Sequence, residues 1–323
     1  MGGNKNMNCI SEVFNDGVLD EIVNRYHLNR NLLVEVGGFE NMIYEYSKEG
    51  RDYVVRITHD SHRDRNLIEG EVDWLNFLSF KNVSVAKPVM LISDDYVNEI
   101  RVNGSCFFIV CFEKVNGVFM RELCWSDEYI QKLGREIGKM HHASKNYKCT
   151  KREFERPKWN ADIFMNQYHD LPELLELRGR FIELMKKIDN LPRNQKNYGL
   201  THGDIHFGNF KFENDVPVFF DFDSCCYCWY LYDIAVLLFF SVCIWGRGQE
   251  VGGFSSHFMH HFLLGYEEYT AFDYEMMKYL PLFLKLREYD LFFVLSDLPE
   301  SEQYEYEKHF MMNRKQNLEN DIV

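Results

Sequence analysis

The stretch Thr201-His202-Gly203-Asp204-Ile205-His206-Phe207-Gly208-Asn209 is the densest polar cluster in the chain, and it is followed twelve residues after Asn209 by Asp221-Phe222-Asp223. Between the two lie Phe210–Phe212 and Val218–Phe220, short strand-like runs that read as a hairpin with polar groups at its ends. Outward from this hairpin the pattern is helical. Apolar residues recur at helical spacing in Pro172–Ile188 before it and in Trp229–Trp245, Ser255–Tyr269, Tyr274–Leu295 and Ser301–Gln316 after it. Another helix starts at Ser126, where Ser-Asp-Glu precedes Ile130, Leu133, Ile137 and Met140.

Towards the N-terminus the pattern changes. Asp16–Leu28 reads as an amphipathic helix, and Leu32–Val36, Met42–Tyr46 and Tyr53–Ile57 are short β-branched or aromatic runs. They are separated by Val36-Gly37-Gly38-Phe39-Glu40-Asn41 and Lys48-Glu49-Gly50-Arg51, both rich in turn chemistry. A helix over His62–Phe80 and strands near Val89–Ile92 and Phe107–Phe112 complete this part. The fold class this predicts is α+β and bilobal: a small antiparallel-sheet N-lobe over residues 1–112, a hinge at 113–117, and a larger, mainly helical C-lobe over 118–323, with a cleft between the lobes.

Composition narrows the function classes. At 323 residues, 46% hydrophobic and 27% charged, the chain is globular, with no repeat or low-complexity tract. No apolar run approaches the ~18 residues a membrane helix needs, and Met1–Asn6 lacks the features of a signal peptide or myristoylation site, so we expect a cytoplasmic protein without a membrane partner. A net charge of −14 argues against nucleic acid, which requires a basic face, and suits a cationic substrate or simply solubility. Nine cysteines, several inside apolar runs, fit reduced core thiols; Cys225-Cys226-Tyr227-Cys228 reads as packed thiols rather than half a zinc site.

The polar cluster has the spacing that phosphoryl transfer demands. A kinase needs one carboxylate to accept the substrate hydroxyl's proton, and an amide oxygen with a second carboxylate to hold Mg²⁺ on the nucleotide phosphates. His202, Asp204 and Asn209 fall at the offsets of the protein-kinase loop H-R-D-x-x-x-x-N, with Gly203 in place of arginine. The H-G-D-x-H-x-x-N loop with Asp221-Phe222-Asp223 resembles the aminoglycoside phosphotransferase and choline kinase superfamily, which has a protein-kinase-like fold. Glu71-Val72-Asp73-Trp74-Leu75 and Val83–Pro88 are most similar to its bacterial homoserine-kinase-like and stress-response kinase branch. The resemblance implies Asp204 as catalytic base, Asn209 and Asp221 as metal ligands, and Asp223 as a neighbouring or second-metal residue. It also implies Asp233 as the acid that braces the loop, with His202 architectural through hydrogen bonds to backbone or to Asp233; His206 reads as structural.

For the nucleotide the resemblance points to Gly37, Gly38 and Asn41 as a phosphate-facing loop, a stretch that taken alone reads as a hairpin turn. Arg56 stands where the family places its phosphate-binding lysine, with Glu71 as its helix partner and Glu69 as the alternative. Val110 and Phe112, at the hinge, would read the purine through backbone groups. Lys285, Arg287 and Glu288 could serve an acceptor pocket or a surface ion network, and we expect the surface network. The implied activity is transfer of the γ-phosphoryl of ATP or GTP, with Mg²⁺, to a hydroxyl of a small amine-bearing acceptor: an amino alcohol, a hydroxy amino acid or an aminoglycoside. The alternatives are a protein Ser/Thr kinase or a nucleotide-binding regulatory protein with weak catalysis. Acceptor, nucleotide and oligomeric state are not written in the sequence.

Overall fold

Two-residue turns with left-handed backbone set the register of the N-terminal sheet. Glu49-Gly50 (φ 53° and 75°) joins β2 (Met42–Lys48) to β3 (Arg51–His59). Asn103-Gly104 (φ 52° and 87°) joins β5 (Val97–Val102) to β6 (Ser105–Glu113). Positive φ at both positions gives the turn a twist that matches paired strands. With β1 (Leu33–Gly37) and β4 (Pro88–Val89), these strands make an antiparallel sheet in the order β1-β2-β3-β6-β4, with β5 also paired to β6. Helix α1 (Asp16–Arg25) starts at Asn15, whose side chain accepts from Gly17 and Val18 amides, and buries Val18, Leu19 and Ile22 against Tyr44, Val55, Ile57, Phe107 and Ile109. Helix α2 (Arg65–Phe80) starts later than the sequence suggests because Asp64 caps it, accepting from the Leu67 amide at 2.9 Å.

The structure is a computed structural model that describes residues 13–38, 40–123, 126–159, 175–245, 251–297, 305–312 and 314–319. The N-terminal Met1–Asn6, Cys9, Phe39, Cys124 and the ends of the helices expected at 172–188 and 301–316 include positions outside the described residues. The chain divides into two compact units. The first holds the sheet, up to Gly117, and is joined by Tyr147–Arg156 and Val218–Asp223, so its membership is not one continuous segment as the sequence suggested. Side-chain contacts explain this. The Tyr147 hydroxyl and the Thr150 hydroxyl and amide donate to Asp73 of α2 at 2.6–3.0 Å, Arg156 donates to the Leu67 carbonyl at 2.7 Å and the Asp223 carbonyl at 2.6 Å, and Phe222 meets Trp74 edge-on at 5.4 Å.

The second unit is mainly helical: α3 (Asp127–Ser144), α4 (Leu175–Asp189), α5 (Tyr230–Trp245), α6 (Val251–Tyr266), α7 (Leu280–Asp297), α8 (Glu305–Met311) and α9 (Arg314–Glu319). Residues Ile234–Leu238 of α5 are fully buried, as a helix that is apolar all round must be. No helix among the described residues is long and apolar enough to cross a membrane. Tyr274–Tyr279 is 3-10 rather than α, and α7 starts at Leu280 with Pro281 in its first turn, where the missing N–H costs nothing. A strand pair not expected from sequence, β7 (Tyr198–Thr201) with β10 (Cys226–Trp229), lies directly before α5. The expected hairpin is β8 (Phe210–Glu213) and β9 (Val216–Phe219), turned by Asn214 and Asp215, both with positive φ.

Candidate active site

Strand β7 delivers the chain into the 202–209 loop, and a buried carboxylate holds the loop from behind. Asp233, in the first turn of α5 and wholly buried, accepts from the amide of His202 at 3.0 Å and of Gly203 at 2.8 Å. Its Oδ2 also lies 3.0 Å from Nε2 of His141 on α3, whose Nδ1 lies 3.0 Å from the Tyr266 hydroxyl and whose ring stacks on Tyr230. His202 thus reaches Asp233 through its main chain, while its Nδ1 accepts from the Asp204 amide at 3.3 Å. Gly203 is irreplaceable on two grounds: its φ is 85°, and a Cβ there would sit 2.5 Å from the Ser224 carbonyl oxygen. His141 was not found from sequence, since only the three-dimensional approach of α3 to α5 brings it to the loop.

Asp204 projects from this braced loop. Asn209 Nδ2 donates to the Asp204 carbonyl at 3.0 Å and to its carboxylate at 3.4 Å. That orientation commits the amide nitrogen and leaves Oδ1 as the end suited to a cation. His206 Nδ1 accepts from the Gly208 amide at 3.0 Å, which puts the ring proton on Nε2, and Nε2 lies 3.5 Å from Asp204 Oδ2. Arg287 of α7 lies 3.0 Å from Asp204 Oδ1 and 2.6 Å from Asp290. Burial alone would raise the Asp204 carboxyl, but Arg287, His206 and His202 hold it well below the usual carboxylate range. The surface reading of this part of α7 is therefore wrong. Arg287 and Glu288 are buried, Glu288 pairs with Lys285 at 2.8 Å and Arg314 at 2.5 Å, and Arg287 lies over the Phe240 ring at 5.0 Å.

In the first unit, Arg56 on β3 and Glu71 on α2 form a buried bidentate pair at 2.8 and 2.5 Å, with the guanidinium 5.2 Å from the Phe112 ring centroid. Glu69 instead pairs with Arg65 at 3.1 Å. Gly37 and Gly38 have φ of 108° and 138° at the β1–β2 turn, and a Cβ on Gly38 would lie 1.8 Å from the Asn41 carbonyl oxygen. Asn41 is fixed by the Thr58 hydroxyl, which donates to its Oδ1 at 2.6 Å. Val110 and Phe112 sit inside the ladder, Val110 opposite both Arg56 and Val97, and Phe112 opposite both Val54 and Pro88. Their main-chain groups are used by neighbouring strands, so any backbone reading of a purine falls after them.

Asp221 and Asp223 differ sharply. Asp221 is exposed and has φ 62°, a left-handed conformation that costs a non-glycine residue energy and gathers at functional positions. Asp223 is buried, with His62 Nε2 at 2.7 Å and Arg63 Nη2 at 3.1 Å from its Oδ2. Burial would raise its carboxyl, and the hydrogen bond from His62 with the charges of Arg63 and Arg56 holds it below the ordinary range. His62 and Arg63 both sit on Oδ2 and tie down the segment behind Phe222, while Oδ1 is buried without a hydrogen-bond partner, so Asp223 as a neighbouring or second-metal residue stays a proposal. Carboxylate and amide oxygens such as those of Asp221 and Asn209 fit a hard cation of the Mg²⁺ kind. Cys225 and Cys228 are fully buried beside β7, where burial pushes the Cys228 thiol well up, so the C-x-x-C stretch packs as thiols.

An antiparallel sheet carrying a buried basic–acidic pair, and a helical unit carrying a braced loop with Asp204 and Asn209, define a kinase-like phosphotransferase. Residues 34–277 match the phosphotransferase enzyme family, and the chain belongs to that family. An amicoumacin kinase of Bacillus subtilis (strain 168) is 30% identical over 318 residues, covering 96% of this chain and 94% of the relative. A solved amicoumacin kinase in complex with AMP-PNP, Ca²⁺ and Ami superposes with a TM-score of 0.86 at 29% identity, covering 96% of this chain and 95% of that one. A microcompartment-associated aminopropanol kinase shares the fold at a TM-score of 0.71 and 19% identity, over 96% of this chain and 99% of the other. The protein is a phosphotransferase with the α+β, protein-kinase-like fold.

Proposed function

We propose that the enzyme moves the γ-phosphoryl of ATP or GTP to a hydroxyl of a small amine-bearing acceptor, with Asp204 taking the hydroxyl proton. The observation that carries this reading is the loop itself: Asp204 and Asn209 stand on one turn whose amides are fixed by the buried Asp233. A carboxylate positioned in this way can accept a proton in the transition state without first reorganising. Asn209 and Asp221 would hold Mg²⁺, which when bound neutralises phosphate charge and orients the triphosphate. Gly37 and Gly38 turn backbone amides toward phosphate oxygens, Arg56 and Glu71 hold the sheet and α2 in register behind them, and residues 113–117 act as the hinge. Asp223, His62 and Arg63 keep the Phe222 segment in place.

Arg287 is a positioning residue. It holds Asp204 ionised, and with Asp290 and Glu288 it lines the same part of the helical unit with charge. A net charge of −14 suits an acceptor bearing an amine. The relative that matches nearly the whole chain is named for amicoumacin, which makes that compound the first acceptor to test. The test is transfer from labelled ATP and GTP with Mg²⁺ to amicoumacin, 1-amino-2-propanol, ethanolamine, homoserine, spectinomycin and a generic protein. Transfer to one of the small amines is the expected result. Phosphorylation of the protein alone, or nucleotide binding with no transfer to any acceptor, would replace this reading with a protein kinase or a regulatory nucleotide-binding protein.

A further inference from the structure

Helices α3 and α6 touch backbone to backbone because glycines face one another's chain. A Cβ on Gly134 would lie 2.0 Å from the Phe262 carbonyl oxygen, one on Gly265 1.9 Å from the Gln131 carbonyl oxygen, and one on Gly138 2.6 Å from that of Tyr266. This contact fixes what the two helices present beside it. On α6, His257 and His261 are four residues apart, hence stacked on one face, with ring centroids 4.5 Å apart. In the first turn of α3, Asp127 meets both: His257 Nε2 lies 2.7 Å from its Oδ1, and His261 Nε2 lies 3.2 Å from its Oδ2. All three donor atoms fall within 4.8 Å of one another.

We propose that Asp127, His257 and His261 form a divalent transition-metal site that straps the start of α3 to α6, separate from the cation that travels with the nucleotide. Two imidazole nitrogens and one carboxylate oxygen suit Zn²⁺, Co²⁺, Ni²⁺ or Cu²⁺, whereas Mg²⁺ and Ca²⁺ take oxygen-rich sets. Ligand atoms around Zn²⁺ at ~2.0–2.1 Å need only small side-chain adjustments from the present spacing. The outer partner is in place too. The Gln131 side-chain amide lies 3.2 Å from His261 Nδ1, and turned to offer its oxygen it would accept the Nδ1 proton, selecting the tautomer whose Nε2 lone pair faces the metal. Asp127 and His257 are about half exposed, so ions enter from solvent and water fills the remaining positions. The strap lies on the helix pair whose other residues, His141 and Tyr266, hold the brace on the catalytic loop.

The test is titration of the metal-stripped full chain, without nucleotide, with Co²⁺ followed by visible absorption and with Zn²⁺ followed by calorimetry. Expected are one equivalent bound, a Co²⁺ spectrum without thiolate charge transfer, and a raised Tm in Zn²⁺. His257→Ala and His261→Ala should each weaken binding by about tenfold or more and Gln131→Ala by about tenfold, while His260→Ala, on the adjacent exposed histidine, leaves it unchanged. The two histidine substitutions are made separately at a solvent-facing cluster, and their Tm without metal checks that each folds. No Co²⁺ or Zn²⁺ binding, wild-type affinity retained in both histidine variants, or a thiolate band would overturn the proposal.

Discussion

Asp204 is held by more partners than a simple proton acceptor needs, and each partner biases it the same way. Arg287 at 3.0 Å and His206, with Nε2 at 3.5 Å, both favour the carboxylate over the acid. A folded-state value depressed below the unfolded one means that this pairing contributes stability above about pH 4 and loses it as pH falls through the folded value. For activity the same sign applies: Asp204 stays ionised through the neutral range and gives no acid limb there. Arg287→Gln removes the largest favourable charge, so we expect the acid limb of kcat/KM to move to higher pH. A pH–rate profile of the two proteins checks this, with nucleotide KM as the control that should stay near wild type. An unchanged limb would show that Arg287 acts only on packing.

At the scale of elements, the catalytic loop depends on how closely α3 and α6 approach. His141 and Tyr266 come from that pair: the Tyr266 hydroxyl meets His141, and His141 meets Asp233, which in turn fixes the His202 and Gly203 amides. Gly134→Ala drives a methyl into the Phe262 carbonyl, and Gly138→Ala meets that of Tyr266, so each should destabilise the protein by about 1–3 kcal/mol. Thermal unfolding measures it, and the more severe contact at Gly134 should give the larger drop in Tm. The elements themselves were unevenly legible in the sequence. The Glu49-Gly50 turn and the residues of the catalytic loop are local signals, so a single segment carries them. Strand β5 hid because Asn98, Glu99 and Arg101 interrupt its apolar pattern, and β10 hid because Cys226-Tyr227-Cys228 was read for its thiols, as packed cysteines, rather than as a strand. His141 and Arg287 are written in no motif; helices from distant parts of the chain bring them to the loop.

Across the whole molecule, the residues proposed for the nucleotide lie in one compact unit and Asp204, the proposed proton acceptor, in the other, with Asp221 carried by a segment of chain that returns to the first unit. The sequence indicated both groups because each sits on a local turn or strand end. It could not indicate that return, which depends on Phe222 packing on Trp74 and on Asp223 meeting His62 and Arg63. The central claim is that Asp204 performs the chemistry while nucleotide binding belongs to other residues. Its most direct test is the rate of phosphoryl transfer from Mg·ATP by Asp204→Asn beside wild type, using whichever acceptor the screen identifies, with the rise in Tm on adding Mg·ATP measured for both. A general base contributes about 10²–10⁴-fold, so the variant should lose at least that order of turnover yet keep the nucleotide-induced rise in Tm. Full turnover in Asp204→Asn would contradict the claim.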